Sequence, residues 1–311
     1  MKTRIAIVLG LALAGPSSLQ ARGPAPFLVA ETGESFGSLQ QAVAAIGPGS
    51  GTIRIAPGRY RDCAVQEGGQ VAFVAEERGT AVFDGGACEG KATLVLRGRS
   101  ASVDGLVFVN VRVADGNGAG IRIEQGDLEV AYTRFADGQC GILGNNDPAG
   151  SISIDHSTFS GLGKDPDGSG AHSLYIGGYG RLRVTNSRFE RGTGGHYLKS
   201  RSPRIEVMNS SFDDSHGLRT NYLIDLSNGA VGRIAGNIFV NGTGKENHAT
   251  MVTVAPEGAA NRSAGLVIEG NDVSVVPAFK WHTAFVGDWS GETLTVRNNR
   301  VAAGIALVER R

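Results

Sequence analysis

The segment RLRVTNSRF, residues 181–189, decides the fold, because related segments return along the chain. Apolar and polar residues alternate within it, which is typical of a β-strand with one buried face. The clearest copies are DLEVAYTRF (127–135), SISIDHSTF (151–159), RIEVMNSSF (204–212) and VGRIAGNIF (231–239). Including weaker copies that end at Phe108, Val273 and Val301, the last residues lie 23 to 34 residues apart. A period of this size indicates stacked repeats that each contain strand.

A second set of short strands lies between these copies, in the segments GIRIEQ, GILGNN, SLYIGG, YLKSRS, LIDLSN, ATMVTV and TAFVGD. Each unit therefore contains at least two strands joined by turns rich in Gly, Asn and Asp, without a crossover helix. One coil per unit, stacked in parallel on the next, explains this pattern. We predict an all-β, single-domain right-handed parallel β-helix, the hand being the usual one for parallel crossovers. A β-propeller is the alternative, but its blades are longer, at about 40 residues.

The start of the chain differs from the repeats. Residues 1–23 combine Lys2 and Arg4 with a short apolar run and a small-residue end, as in a secretory signal peptide. We therefore predict a signal peptide over 1–23, a β-helix domain over 24–311, and a periplasmic or secreted protein. The segment 38–46 has helical apolar spacing and is expected to cap the first coil, where unpaired strand edges would be exposed.

Composition limits the function classes. Of 311 residues, 47 are glycine and only 6% are aromatic, which favours many tight turns. The formal charge is balanced, which argues against general binding of nucleic acid, and no segment is long and apolar enough to predict a membrane span. Cys63 and Cys88 lie one predicted coil apart and are able to pair in an oxidising compartment, which would leave Cys140 free. We expect a monomer.

Outward-facing residues of successive coils should form columns about 4.8 Å apart. With Ile121, Ile142, Leu174, Leu198, Ile224 and Thr250 facing inward, the next residues face outward: Arg122, Leu143, Tyr175, Lys199, Asp225 and Met251. Arg201 lies two positions after Lys199 and also faces outward. The alignment therefore brings together Tyr175, Lys199, Arg201 and Asp225. The alternative is a surface Lys–Asp ladder without chemistry.

Two positions before the inward column the alignment places His172, His196, Tyr222, His248 and His282. The simplest interpretation is that these rings stack at a turn and bond backbone groups. A metal site is not predicted, because no carboxylate accompanies them at ligand spacing. His196 and His172 are nevertheless candidates for function, since they lie on the coils that carry Lys199 and Tyr175.

This cluster suits β-elimination on an acidic polysaccharide. The reaction needs a cation at the uronate carboxylate, a base for the adjacent proton and an acid at the leaving oxygen. Arg201 can hold the carboxylate, Lys199 or His196 can act as base, and Tyr175 as acid or second base. Asp225 would set the charge state of Lys199. We assign substrate contacts to four further residues: Arg122, His172, Arg219 and Asn228.

The segments TIRIAPGRY, VTNSRF, VMNSSF, NGAGIR, AHSLYIGG, GHYLKSR and YLIDLSNG resemble the pectin-lyase-like right-handed β-helix superfamily, in particular its exported bacterial members. The stretch KSRSPRIEVMNSSFDDSHGLR is similar to a strand of chondroitinase B and related alginate lyases. That resemblance implies Lys199 as base and Arg219 as the residue that assists the leaving group. The superfamily also contains hydrolases, epimerases and non-catalytic proteins, so the fold does not by itself define an activity.

Two other possibilities concern carboxylates. Hydrolysis would need an acidic pair, for which Asp213 and Asp214 are the best local source. Asp165 and Asp167 lie in a predicted loop where weak Ca²⁺ binding is conceivable, although no cofactor is required by the predicted reaction. A non-catalytic carbohydrate-binding or cell-envelope protein remains the alternative to an enzyme.

Overall fold

The computed structural model describes residues 25–163 and 170–311. The predicted signal peptide and the candidate calcium ligands Asp165 and Asp167 lie outside these ranges. Within them the chain forms a solenoid of three long sheets, each built from one strand per coil.

The strands of sheet 1, in spatial order, are Glu34–Phe36, Phe27–Val29, Ser50–Ile55, Gln70–Ala75, Ser100–Asp104, Asp127–Ala131, Ser151–Asp155, Arg181–Thr185, Arg204–Met208, Val231–Ala235, Leu266–Glu269 and Thr295–Arg297. Those of sheet 2 are Gly58–Tyr60, Ala81–Asp84, Val107–Val109, Arg134–Ala136, Thr158–Ser160, Arg188–Glu190, Ser211–Asp213, Ile238–Asn241, Asp272–Val275 and Arg300–Val301. Those of sheet 3 are Ala64–Gln66, Ala92–Leu96, Ala119–Ile123, Cys140–Gly144, Leu174–Ile176, Leu198–Ser200, Ile224–Leu226, Thr250–Val254, Thr283–Asp288 and Ile305–Arg310.

The predicted parallel stack is confirmed, with one more strand per coil than the sequence indicated. Each RLRVTNSRF-like segment splits into a sheet 1 strand and a sheet 2 strand, separated by a two-residue turn such as Asn186–Ser187. The first turn residue has a positive φ, 50° at Asn186 and 51° at Asn209, a conformation that asparagine tolerates better than most residues. The asparagine therefore marks the corner between two sheets.

The second turn residue builds a buried polar ladder. Its side-chain oxygen accepts the backbone N–H of the equivalent residue one coil earlier, as Ser210 Oγ does from Ser187 at 3.1 Å and Asn237 Oδ1 from Ser210 at 2.9 Å. The ladder runs through Thr133, Ser157, Ser187, Ser210, Asn237, Asn271 and Asn299. It satisfies turn N–H groups that would otherwise be buried without partners.

The phenylalanines form a stack through the interior. Phe135, Phe159, Phe189 and Phe212 have ring centroids 4.6 to 4.8 Å apart, with nearly parallel planes. Each ring is fully buried and in register with the next. The stack confirms the column predicted from the repeat and contributes apolar burial in every coil that carries it.

The first coil is closed by the helix Leu39–Ile46, as predicted. Ser38 is its N-cap and accepts the Gln41 N–H, while Leu39 and Val43 are buried against the first strands. A hairpin formed by Phe27–Val29 and Glu34–Phe36, which the sequence did not predict, adds antiparallel to Ser50–Ile55. Together they cover the parallel edge of the first coil.

The cysteines pair in the way that the coil spacing allowed. A disulfide joins Cys63 to Cys88, with their Cα atoms 5.5 Å apart. Cys140 is free and buried, and burial raises the pKa of its thiol to about 11. Its thiol is therefore protonated at neutral pH.

One predicted register is wrong. Ile224 pairs with Val252 and Asp225 with Thr253, so that Thr250 and Met251 do not continue the inward and outward columns. The reason is a longer coil: 28 residues separate Asp225 from Thr253, against 26 between Lys199 and Asp225. One extra residue lies in the turn between Leu226 and Val231, and the other in the turn between Asn241 and Thr250. Met251 is instead fully buried in the core.

Candidate functional site

The outer face of sheet 3 carries the predicted charged cluster. Tyr175 pairs in register with Lys199, and Lys199 with Asp225, so these three side chains occupy one column on adjacent coils. The Lys199 ammonium lies 5.7 Å from the centre of the Tyr175 ring. The placement inferred from the repeat is thus confirmed, whereas the catalytic roles remain predictions.

Lys199 is held as a cation. Its Nζ lies 3.2 Å from Asp225 Oδ2 and also bonds Glu257 Oε1, and the residue is only 7% exposed. Burial disfavours the charge, but the attraction of Asp225 and the hydrogen bond to Glu257 outweigh it, so the pKa of Lys199 is raised. In this arrangement Lys199 is a proton donor rather than a base.

Asp225 is the fixed counter-ion of the cluster. It is 1% exposed, and its two oxygens accept hydrogen bonds at 2.9 Å from Ser227 Oγ and from Thr253 Oγ1. His196 Nε2 lies 3.5 Å from the same carboxylate. These contacts fix the position of the carboxylate beside Lys199.

Arg201 lies at the edge of the cluster and uses three nitrogens. Its Nε donates to Tyr175 Oη at 2.9 Å, its Nη1 donates to Asn228 Oδ1 at 2.6 Å, and its Nη2 bonds Glu257 Oε2. Its side chain is 30% exposed, so a ligand can reach the guanidinium. The structure therefore brings Asn228, a predicted substrate contact, into the same network.

Glu257 joins Lys199 to Arg201 through its two oxygens and was missed in the sequence. Burial would raise the pKa of Glu257, but the two cations together lower it, so the side chain is charged. Unlike Asp225, it is 42% exposed. It follows the strand whose register was misassigned, and this is why the columns gave no signal for it.

The histidines follow the simpler of the two interpretations. His172 and His196 stack at 4.8 Å, and His196 stacks on Tyr222 at 5.2 Å. His172 Nδ1 accepts the N–H of His196, and His196 Nδ1 accepts the N–H of Tyr222. Because Nδ1 of His196 accepts a hydrogen bond, the ring proton is on Nε2, which points toward Asp225. His196 is therefore arranged as a donor and not as a base.

The predicted column that contains four histidines ends at Tyr222 in the structure. After the register change His248 stacks on Trp281 at 3.8 Å instead, and His282 bonds Glu309. Neither ring belongs to the charged cluster.

Two predicted substrate contacts lie apart from the cluster. Arg122 occupies the same column but two coils before Tyr175, with its Nε 3.8 Å from Glu124. Arg219 is exposed on the turn between sheets 2 and 3, with a φ of 54°. Arg219 is thus on a turn and not on the sheet 3 strands that carry the cluster, and the roles predicted for Arg122 and Arg219 remain predictions.

The carboxylates considered for hydrolysis are not a matched pair. Asp214 is fully buried and accepts from Tyr197 Oη at 2.9 Å, Thr220 Oγ1 at 2.7 Å and Lys245 Nζ at 3.1 Å. Asp213 accepts the N–H of Ser215 on the strand end. A buried carboxylate with these partners supports the turn, and the hydrolytic pair is not formed.

The described residues contain neither a metal-ligand cluster nor a membrane-spanning helix. Across 25–163 and 170–311 no group of His, Cys, Asp or Glu has an arrangement suited to a metal ion. In the same part of the chain no helix has the length and apolar character needed to cross a bilayer.

Comparison with known proteins identifies the family. The family described as "Right handed beta helix region" matches residues 94–308, more than half of the chain, so the protein belongs to it. This agrees with the predicted superfamily and handedness. Among curated protein sequences none matches the chain.

Two solved structures match the chain at low similarity. A mutant pectin methylesterase in complex with a hexasaccharide is 12% identical with a TM-score of 0.39, over 89% of this chain and 78% of that one. The Streptococcus pneumoniae surface protein and adhesin PfbA is 10% identical with a TM-score of 0.39, over 88% of this chain and 94% of that one. At these values neither structure bears on the chemistry of the cluster.

Proposed function

We propose that the protein binds an acidic polysaccharide on the outer face of sheet 3 and cleaves it by β-elimination next to a uronate carboxylate. One observation carries the proposal: a half-exposed carboxylate, that of Glu257, already bridges the two cations Lys199 and Arg201. The pair of cations is therefore spaced to hold a carboxylate. Export to the periplasm or the medium, predicted from residues 1–23, is part of the proposal.

Binding begins with exchange of carboxylates. A uronate that takes the place of Glu257 gains the Nη2 group of Arg201 and the ammonium of Lys199, both charge-assisted donors. Asp225 is buried and stays with Lys199, so Arg201 supplies the net positive charge for the ligand. Asn228 holds the guanidinium in place during the exchange.

The elimination step then assigns a base and an acid. Tyr175, acting as its phenolate, removes the proton next to the carboxylate, and the Arg201 Nε–H that its Oη accepts holds it in place. The electron pair of that C–H bond forms the new carbon–carbon double bond, and the glycosidic oxygen leaves. Lys199, which is charged, donates a proton to that oxygen. Arg201 stabilises the negative charge that develops on the carboxylate.

The test is a panel of acidic polymers: alginate, pectate, glycosaminoglycans and bacterial exopolysaccharides. The ultraviolet absorbance of unsaturated uronate ends reports the reaction. We expect Lys199→Ala and Tyr175→Phe to lower the rate on the active polymer by about 10²–10⁴-fold, the range for one acid or base group. The matched controls are Lys280→Ala and Tyr132→Phe, which change exposed residues outside sheet 3. Full activity of Lys199→Ala would rule out the assignment.

A non-catalytic carbohydrate-binding protein is the second candidate, and the charge state of Lys199 favours it. A lysine held protonated between Asp225 and Glu257 binds anions without any need for proton transfer. This candidate predicts that an immobilised acidic polymer retains the protein while no absorbance develops. Loss of retention in Arg201→Ala would then place the binding at the cluster.

A further inference from the structure

The carboxyl edge of sheet 3 carries a second outward column. Each member donates its backbone N–H to a carbonyl oxygen of the sheet 3 strand one coil earlier. The pairs are Arg201 with Ile176, Ser227 with Ser200, Ala255 with Leu226, Trp289 with Val254 and Arg311 with Asp288. Trp289 therefore lies in the same column as Arg201, three coils further along. At about 4.8 Å per coil the two positions are about 14 Å apart.

The Trp289 indole lies flat on the sheet. A Cβ at Gly287 would stand 2.7 Å from Trp289 Cζ3 and 3.1 Å from Cη2, closer than real side-chain contacts allow. Gly287 is the residue that follows Thr253 in the column of Lys199 and Asp225. A glycine here lets the ring rest on the strand, and the residue is only partly buried, so part of the indole is accessible.

Arg311 provides a cation beside this ring. Its Cζ lies 5.6 Å from the centre of the Trp289 ring, and its Nη2 donates to Glu309 at 2.7 Å. The backbone of Arg311 lies one coil beyond Trp289 in the same column, so the two side chains offer adjacent positions to one ligand.

We propose that Trp289 and Arg311 form a second subsite for the acidic polysaccharide. A flat, partly exposed indole offers an apolar face to the C–H groups of a pyranose ring. Arg311 is placed to bind the carboxylate of a uronate in that position, as Arg201 does at the cluster. The polymer then runs along the solenoid axis from Arg201 to Trp289. This inference rests on the proposed binding of an acidic polymer to the cluster.

Trp281 supplies the matched control. It is more exposed, at 46%, but it lies on the turn before the strand and stacks on His248. A general loss of exposed aromatic surface would affect both tryptophans, whereas the proposed subsite involves Trp289 alone.

The experiment measures affinity for purified uronate oligomers of increasing length. We expect Trp289→Ala to weaken binding of oligomers long enough to span both positions by about tenfold, and to leave the shortest ones unchanged. Trp289→Tyr should retain most of the affinity, and Trp281→Ala should equal the wild type. In a Trp281→Phe background, the fluorescence of Trp289 should change only with the longer oligomers.

The outcomes separate this subsite from the proposed function. If Arg201→Ala abolishes binding while Trp289→Ala and Trp289→Tyr bind all lengths as the wild type does, the subsite is refuted and the cluster stands. If no uronate oligomer of any length binds the wild type, both are refuted. Thermal unfolding of each variant identifies a loss that comes from misfolding, and in that case the tyrosine variant decides.

Discussion

Two turns of each coil, the one between sheets 1 and 2 and the one between sheets 2 and 3, differ in how regular their lengths are. Between sheets 1 and 2 each coil from Asp127–Ala131 onward turns within two residues, on the same Ser/Thr/Asn ladder. Between sheets 2 and 3 the length varies, with seven residues between Glu190 and Leu198 and ten between Asp213 and Ile224. The variable corner contains the histidine stack and leads directly into the charged cluster.

The difference shows how a repeat divides its tasks. The regular corner repeats one hydrogen-bond pattern, so any change there weakens the stack. The irregular corner differs from coil to coil, and its polar groups are satisfied by contacts particular to those turns, such as the buried ion pair between Asp214 and Lys245 on the next coil. Chemistry is therefore expected where the repeat is broken, on the face of sheet 3.

The largest expected effect is in the regular part. Phe189→Ala removes a fully buried ring that stacks on Phe159 and Phe212. We expect a loss of about 3–5 kcal/mol in the free energy of unfolding, from lost burial and the cavity left behind. Urea unfolding measures it, with exposed Arg188→Ala as control. A loss similar to that of the control would show that the stack is not the main support.

In the irregular corner, loss of the buried Asp214–Lys245 pair should lower the free energy of unfolding by almost as much. Lys245→Met leaves Asp214 buried without its cation, which costs about 3–5 kcal/mol for a buried pair. Lys280→Ala, on an exposed residue, should leave the unfolding midpoint unchanged. If the double variant Lys245→Met with Asp214→Leu unfolds at the wild-type urea concentration, the pair specifies the turn without adding stability. If Lys245→Met alone is as stable as the wild type, the assignment of a buried ion pair is contradicted.

A substitution in the polar ladder should lower the free energy of unfolding by a smaller amount. Ser210→Ala leaves the Ser187 N–H without its acceptor, at a cost of about 1–3 kcal/mol. Ser211→Ala changes the next residue, whose side chain lies on the outer face of sheet 2, and should be near neutral. If both variants unfold alike, the ladder contributes little and the regular corner depends on the phenylalanines alone.

The smallest effect on stability, but a clear one on binding, is expected at Glu257. Glu257→Gln should change the free energy of unfolding by less than about 1 kcal/mol, because the ion pairs are partly exposed. The pKa of Glu257 is lowered in the folded state, so its contribution is present above the unfolded pKa and lost as pH falls through the folded one. The difference between variant and wild type should therefore vanish in acid.

For ligands the same change acts in the opposite direction. Removing the internal carboxylate frees Lys199 and Arg201, so Glu257→Gln should bind uronate oligomers several-fold more tightly than the wild type. Glu129→Gln, an exposed residue on sheet 1, is the control. Weaker binding in Glu257→Gln would mean that Glu257 supports the ligand site and does not compete with the ligand.

The sequence predicted the parts that repeat. Because side chains alternate along a strand and equivalent residues stack, aligning YLKSRS with LIDLSN was enough to place Lys199 beside Asp225. The same logic failed after Asp225, where two turns that are each one residue longer shift the register by two residues. Glu257 was lost with that shift. The third strand of each coil was missed because RLRVTNSRF was interpreted as one strand, although its buried residues change from even positions (Val184) to odd ones (Phe189) at the corner.

By itself the sequence determined the solenoid, the capped first coil and the polar face of sheet 3. These features follow from the periodic spacing of residue types along the chain. Only the tertiary structure decided the charge state of Lys199, the tautomer of His196 and the contact of Trp289 with Gly287. These depend on distances between coils and on burial. The turns of variable length determine these distances and this burial, and no local sequence pattern specifies the path of those turns.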